Sequence, residues 1–332
     1  MIIRTIDAHT AGEPLRLIVD GFPSVEGKTM LEKREWLRAN RDYLRRALLL
    51  EPRGHADMYG AVLTEPERSS SDAGLLFMHN EGYSTMCGHG IIAVATIAVE
   101  RGLISPQRDG EIAFDTPAGQ VLARPRVTGK GQASRVESVT FTNVPSFVLR
   151  ASLPVKWGTR ALHADLAFGG AFYAIVDSEA VGIPIQRERL ADLRRAGMEI
   201  KRLVESAVRV EHPLQPDLQG IYGTIFTGPA SRPGADLRNV TIFADAEVDR
   251  SPCGTGTCAV MAVLAAMGLL GAGQTFTHES IIGTLFRGRV RSESSVGELS
   301  AIEPEIEGEA YITGEHTFII DSRDPLRHGF RI

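Results

Sequence analysis

Two apolar runs stand out from an otherwise mixed pattern of hydrophobic and polar positions. Met86-Cys87-Gly88-His89-Gly90 leads into a stretch rich in Ile, Ala and Val that ends at Gly102. Pro252-Cys253-Gly254-Thr255-Gly256 leads into a second that ends at Gly268, and each closing glycine lies fifteen residues after its cysteine. A glycine turn, an apolar run without a polar face and a closing glycine predict two buried helices, each with a cysteine at its N-terminus. Charged, Leu-rich segments at 32–50 and 187–210 predict surface helices. The first stops ahead of Pro52, and the second packs through Leu190, Leu193, Ile200, Leu203 and Val204. Alternation and β-branched residues predict strands within 112–127, 136–149 and 305–320. Pro, Gly and Asp mark joints near 105–110, 211–220 and 228–236.

The pattern also repeats. Gly12 to Asp20 is echoed by Gly169 to Asp177, Met58 to Leu63 by Ile221 to Phe226, and Arg124 to Val127 by Arg287 to Val290. With the two cysteines these pairs keep one order, at offsets of 157 to 166 residues, about half the chain. An internal duplication follows. The expected fold is α+β, with two pseudo-symmetric domains, each a mostly antiparallel sheet wrapped around a central helix. The expected cut is 1–150, carrying Cys87, and 151–332, carrying Cys253, with terminal strands free to cross between them.

Composition narrows the class. Hydrophobic content of 43% and charged content of 23% are those of a soluble globular chain. A net charge of −5 disfavours a general nucleic-acid or anionic-membrane surface. The first residues lack the basic region and apolar core of a signal peptide, and the 90–99 run is too short to span a bilayer. Three cysteines make no disulfide framework, so a cytoplasmic location with reduced thiols is expected.

A helix N-terminus presents unpaired N–H groups and partial positive charge, which favour both a thiolate and a bound carboxylate. Such a place can lower a thiol well below its free value of about 8.5. One Cys-Gly-x-Gly could be a small buried residue at a helix start; a duplicated pair points to chemistry. Cys258, inside the second apolar run, is read as core. Gly254-Thr255-Gly256 lacks the third glycine of a dinucleotide fingerprint, and no phosphate loop is present. No metal-ligand spacing accompanies Cys87, His89 and Cys253, so no metal is expected.

Met86 to Gly90 and Asp249 to Thr257 resemble the two signature motifs of the proline racemase superfamily, and Leu50 to His55 and Glu279 to Gly283 resemble further family segments. The resemblance implies a fold similar to diaminopimelate epimerase, with the active site in the interdomain cleft and no cofactor. It implies that Cys87 and Cys253 are paired acid and base. It further implies that Gly88, His89, Gly254 and Thr255 hold the substrate carboxylate and that Asp249 binds the ring nitrogen. The expected partner is a small proline-type imino acid, with no nucleic acid and no membrane, and the expected assembly is a homodimer.

Within that superfamily, dehydratases of trans-3-hydroxy-L-proline typically carry Thr at the position of Cys253, so cysteine there favours a racemase or 2-epimerase. Tyr59, at a pocket position read as Phe in proline-specific members, adds a hydroxyl to a pocket that includes Phe243. The first expectation is therefore 4-hydroxyproline 2-epimerase, with trans-3-hydroxy-L-proline dehydratase and proline racemase as alternatives. A thiol hydrolase would need no second cysteine, and an amino-acid-binding protein would need neither thiol.

Overall fold

The computed structural model describes residues 1–105, 110–129, 131 and 134–332. The joint expected at 105–110 lies mostly outside them. The first strands are β1 (Ile2–Thr10), β2 (Glu13–Asp20), β3 (Tyr59–Thr64), β4 (Ala73–His79), β5 (Tyr83–Ser84), β6 (Ile112–Thr116), β7 (Gly119–Thr128) and β8 (Arg135–Thr142). Then follow β9 (Ser146–Trp157), β10 (Arg160–Phe168), β11 (Phe172–Asp177), β12 (Glu211–His212), β13 (Gln215–Gln219) and β14 (Ile221–Pro229). The last are β15 (Leu237–Phe243), β16 (Glu247–Asp249), β17 (Thr275–Glu279), β18 (Leu285–Val296), β19 (Leu299–Gly308) and β20 (Ala310–Ile319). The α-helices are α1 (Met30–Leu49), α2 (Gly88–Glu100), α3 (Ser178–Val181), α4 (Leu190–Ala207) and α5 (Gly254–Ala266). The fold is α+β and dominated by strands.

The described chain divides into two compact units, Met1–Phe141 with Glu309–Ile332, and Thr142–Gly308. Arg150, where the cut was expected, lies inside β9 and pairs with Leu166 of β10. The counterpart of β9 in the first unit is β20, which pairs with β1 as β9 pairs with β10. The first unit therefore takes its last strand from the end of the chain.

Within each unit the same register recurs. Parallel β2 and β3 place Arg16, Leu17 and Ile18 opposite Gly60, Ala61 and Val62. Parallel β11 and β14 place Tyr173, Ala174 and Ile175 opposite Gly223, Thr224 and Ile225. These are the residues the sequence echoes match. The loop before each central strand is anchored alike. Asp72 exchanges bonds with Ala113, accepting from its N–H at 2.8 Å, and Asp236 does so with Thr277 at 2.7 Å. One echo needs correcting. Ala113 opposes Leu122 and Thr277 opposes Arg287, so the counterpart of Arg124 is Arg289 and not Arg287. A slip of two residues keeps the same strand face, which is why the pattern alone did not expose it.

α1 begins two residues before the expected start. Thr29 accepts from the Glu32 N–H at 3.1 Å and Glu32 accepts from the Thr29 N–H at 3.2 Å, closing a capping box. α1 buries Met30, Leu37, Leu44 and Leu48 with Ile18, Val62, Leu76 and Met78. α4 begins at Leu190 after a single 3₁₀ turn; it buries Leu193, Ile200 and Val204, while Leu190 and Leu203 are half-buried. The joint expected at 211–220 contains a small hairpin, β12 with β13. Each longer strand run breaks in two, as at Thr116–Gly119, where Gly119 adopts a φ of 132°.

α2 and α5 are apolar on every side because strands enclose them. α2 packs against β1, β2, β7 and β20 of its own unit. In the second unit the pairings run β9–β10–β11–β14–β15–β17–β18–β19 and back to β9, closing a ring of strands. α5 packs against β9, β10, β11, β18 and β19. The β10–β11 turn approaches α5 so closely that a Cβ on Gly169 would lie 2.2 Å from the Thr255 carbonyl oxygen and 2.7 Å from the Ala259 nitrogen. Gly169→Ala is therefore expected to cost about 1–3 kcal/mol. Gly82→Ala, where a Cβ would meet nothing within 4 Å, should be silent. Urea unfolding midpoints check the pair, and equal midpoints would show that α5 has room to shift.

Candidate active site

Both cysteines are the N-caps of their helices, and in both the sulfur itself is the capping acceptor. The Gly90 N–H donates to Cys87 Sγ at 3.2 Å, and the Gly256 N–H donates to Cys253 Sγ at 3.3 Å. This accounts for the second glycine of each motif. A Cβ on Gly90 would lie 3.0 Å from Cys87 Sγ and 2.4 Å from the Phe77 ring, and one on Gly256 would lie 2.9 Å from Cys253 Sγ. Only glycine lets the sulfur sit over the helix start.

In the first unit, Cys87 and His89 are both buried. His89 Nδ1 lies 3.2 Å from Cys87 Sγ, and the Thr10 hydroxyl donates to the His89 carbonyl at 2.9 Å. The ring of Tyr59 meets His89 edge-on at 4.7 Å and stacks on His79 at 5.8 Å. Tyr59 was expected to offer its hydroxyl to the pocket. Instead its hydroxyl pairs with Ser84 Oγ at 2.6 Å, so it carries no unmet demand for a hydroxylated ligand.

In the second unit, Asp249, Ser251 and Cys253 form a chain. Ser251 donates to Asp249 Oδ1 through its N–H at 2.8 Å and its hydroxyl at 2.7 Å, and Ser251 Oγ accepts from the Cys253 N–H at 3.1 Å. Tyr173, which the sequence did not mark, pairs its hydroxyl with Thr255 Oγ1 at 2.6 Å and approaches Cys253 Sγ at 3.7 Å. Its only sequence signal was a tyrosine in an otherwise apolar strand. Phe243 stacks on Tyr222 at 5.2 Å, and Tyr222 meets Tyr173 edge-on at 5.9 Å. Gly88, His89 and Tyr59 thus assemble around Cys87, while Gly254, Thr255, Asp249 and Phe243 lie in the unit of Cys253.

The expected lowering of the thiol pKa is reversed at Cys253. Burial is the larger cause and the Asp249 carboxylate the next, and together they push the thiol upward against the Gly256 N–H and the Tyr173 hydroxyl. Cys258 is pushed up to about 12 by burial, which fits its place in the core. Among the described residues no group of three or more His, Cys, Asp and Glu could hold a metal ion. None of the described helices is long and apolar enough to cross a membrane.

Burial also pushes the Asp249 carboxyl up, to about 6, although its Ser251 bonds act in the opposite direction. A carboxyl raised from 3.8 to about 6 contributes stability that is complete below pH 3.8 and lost as pH rises through about 6. Asp249→Asn keeps an acceptor for Ser251 and removes that loss. The variant should gain on the parent as pH rises from about 4 to about 7, followed by urea midpoints across that range. A difference that does not vary with pH would show that the carboxyl is not raised.

The comparisons with known proteins cover nearly the whole chain. The family model described as "Proline racemase" matches residues 5–331. A trans-3-hydroxy-L-proline dehydratase of Bacillus cereus is 48% identical over 330 residues, 99% of this chain and 98% of that one. A 3-hydroxyproline 2-epimerase of Burkholderia multivorans is 43% identical over 336 residues, again 99% and 98% of the two chains. A crystal structure of a hydroxyproline epimerase from Agrobacterium vitis, with bound trans-4-hydroxy-L-proline, superposes with a TM-score of 0.91 at 31% identity, covering 100% of this chain and 96% of that one. By family model, identity and coverage together, the chain belongs to the proline racemase family.

Proposed function

We propose that this enzyme inverts Cα of a hydroxyproline by a two-thiol route, without a cofactor. The observation that carries this proposal is that each unit opens a glycine turn with a cysteine whose sulfur caps a buried helix. Inversion needs one group to take the α-proton from one face and another to return a proton to the opposite face. Cys253, kept protonated by burial beside Asp249, is the acid of the resting enzyme. Cys87, with its sulfur against the His89 ring, is the base, and the roles exchange with substrate handedness. The N–H groups at the starts of α2 and α5 supply donors for charge developing on the substrate carboxylate, with His89 and Thr255 beside them. Asp249 Oδ1 is committed to Ser251, so Oδ2 is the oxygen for the ring nitrogen.

Tyr59 no longer argues for a 4-hydroxyl, because its hydroxyl is paired. The relatives at 43–48% identity cited above are named for 3-hydroxyproline, whereas 4-hydroxyproline enters through a structure 31% identical. We therefore place a 3-hydroxyproline ahead of 4-hydroxyproline as substrate for 2-epimerisation. Dehydration of trans-3-hydroxy-L-proline is the second reading, favoured by the name of the 48% relative. Cysteine at position 253 argues against it, since elimination of a 3-hydroxyl needs a base on one face only.

Incubation of L-proline, trans-4-hydroxy-L-proline and trans-3-hydroxy-L-proline in deuterated buffer, followed by NMR, separates the readings. The expected result is a deuterated, Cα-inverted hydroxyproline, greatest for the 3-hydroxy ring. Loss of water to a cyclic imine would replace it with the dehydratase reading. Cys87→Ala and Cys253→Ala should each abolish inversion. Near-parental turnover in both directions by either variant would defeat the two-thiol assignment.

A further inference from the structure

Cys253 is the one catalytic candidate in a strained backbone. Its φ and ψ are 62° and 107°, in the left-handed half of conformational space, whereas Cys87 at −147° and 109° is ordinary extended chain. A non-glycine residue in such a conformation costs on the order of 1–3 kcal/mol and persists only where its surroundings enforce it. The preceding carbonyl, that of Pro252, is held from two sides. The Thr257 hydroxyl lies 3.1 Å from it and Asn239 Nδ2 donates to it at 3.1 Å. His278 Nδ1 in turn lies 2.9 Å from Thr257 Oγ1. Thr257 has a single hydroxyl proton. With that proton on the Pro252 carbonyl, His278 must be the donor, protonated at Nδ1.

The internal repeat shows that the fold does not need this pair. The counterpart of Thr257 is Ile91, four residues after Cys87, as Thr257 is four after Cys253. The counterpart of His278 is Phe114: Ala73 of β4 pairs with Phe114 of β6 as Leu237 of β15 pairs with His278 of β17. Ile91 and Phe114 are fully buried and fill the same places with apolar side chains. In the unit where the cysteine is strained, those places hold a histidine and a threonine, each with no exposure. His278 Nε2 is buried without a hydrogen-bond partner among the described residues. An unpaired buried nitrogen costs about 1–3 kcal/mol, so stability does not explain the histidine.

We propose that His278 is a positioning residue, which acts through Thr257 and the Pro252 carbonyl to hold Cys253 in its left-handed conformation with the sulfur over the start of α5. Its kinetic consequence rests on the two-thiol reading above; its structural consequence does not.

His278→Phe and Thr257→Val copy the apolar character of the first unit, so both variants should fold. Thr257→Ser keeps the hydroxyl and is the conservative control. The experiment measures iodoacetamide labelling of Cys87 and Cys253 separately by peptide mass spectrometry, with inversion rates measured alongside. In His278→Phe and Thr257→Val, labelling of Cys253 should rise as its backbone relaxes, while labelling of Cys87 stays at the parental rate. Inversion should fall about ten- to a hundredfold in kcat, the scale expected for displacing a reacting group by about an ångström. Thr257→Ser should retain both parental values. Equal changes at the two cysteines would mean general loosening and would overturn the proposal, as would parental labelling and turnover in both apolar variants. If no protein inverts any substrate while the selective change at Cys253 appears, the two-thiol reading fails and the positioning role stands.

Discussion

The contact on which this structure depends is a thiol sulfur accepting a backbone N–H at the start of a buried helix, made once in each unit. It sets conditions on both sides. The donor must be glycine, because a side chain there would meet the sulfur. The helix behind it must be apolar all round, because strands enclose it. N–H groups at a helix start are also the kind of donors that bind carboxylates, which is the use the proposed function makes of them.

Buried carboxylates frame these helices in matching places. Asp115 accepts from the N–H groups of Glu67 and Arg68 at 2.8 and 2.7 Å, and from the Ser71 hydroxyl at 2.9 Å. Its counterpart Glu279 accepts from the N–H groups of Ser231 and Arg232 at 2.7 and 3.0 Å. Each ties a long loop to the strand that follows the central helix, satisfying backbone donors that would otherwise be buried alone. The duplication extends beyond strand order to the hydrogen bonds that close the loops.

Against that shared plan, the differences gather near the cysteines. One sulfur lies beside an imidazole, and the other lies beside a tyrosine and a chain of serine and aspartate. One backbone is relaxed and the other is left-handed. Two copies of one fold thus place unlike groups around like thiols, a difference that the proposed two-thiol inversion would use to hold the two sulfurs in opposite protonation states.

Much of this was legible in the residues. The two Cys-Gly-x-Gly turns, the apolar runs behind them and the ordered echoes determined the two central helices, the repeat and the family, because each is a local pattern that only a few backbones satisfy. The tertiary structure decided what depends on distant partners. It moved β20 into the first unit, since strand pairing follows hydrogen-bond partners and not order along the chain. It set the β7–β18 correspondence two residues from the sequence echo, which alternation cannot detect. It gave Tyr59 a partner in Ser84, 25 residues away, and so removed the argument that its hydroxyl serves a hydroxylated ring. It also raised the pKa of Cys253 where the helix start alone would lower it, because burial and a neighbouring carboxylate outweigh the hydrogen bonds that favour the thiolate.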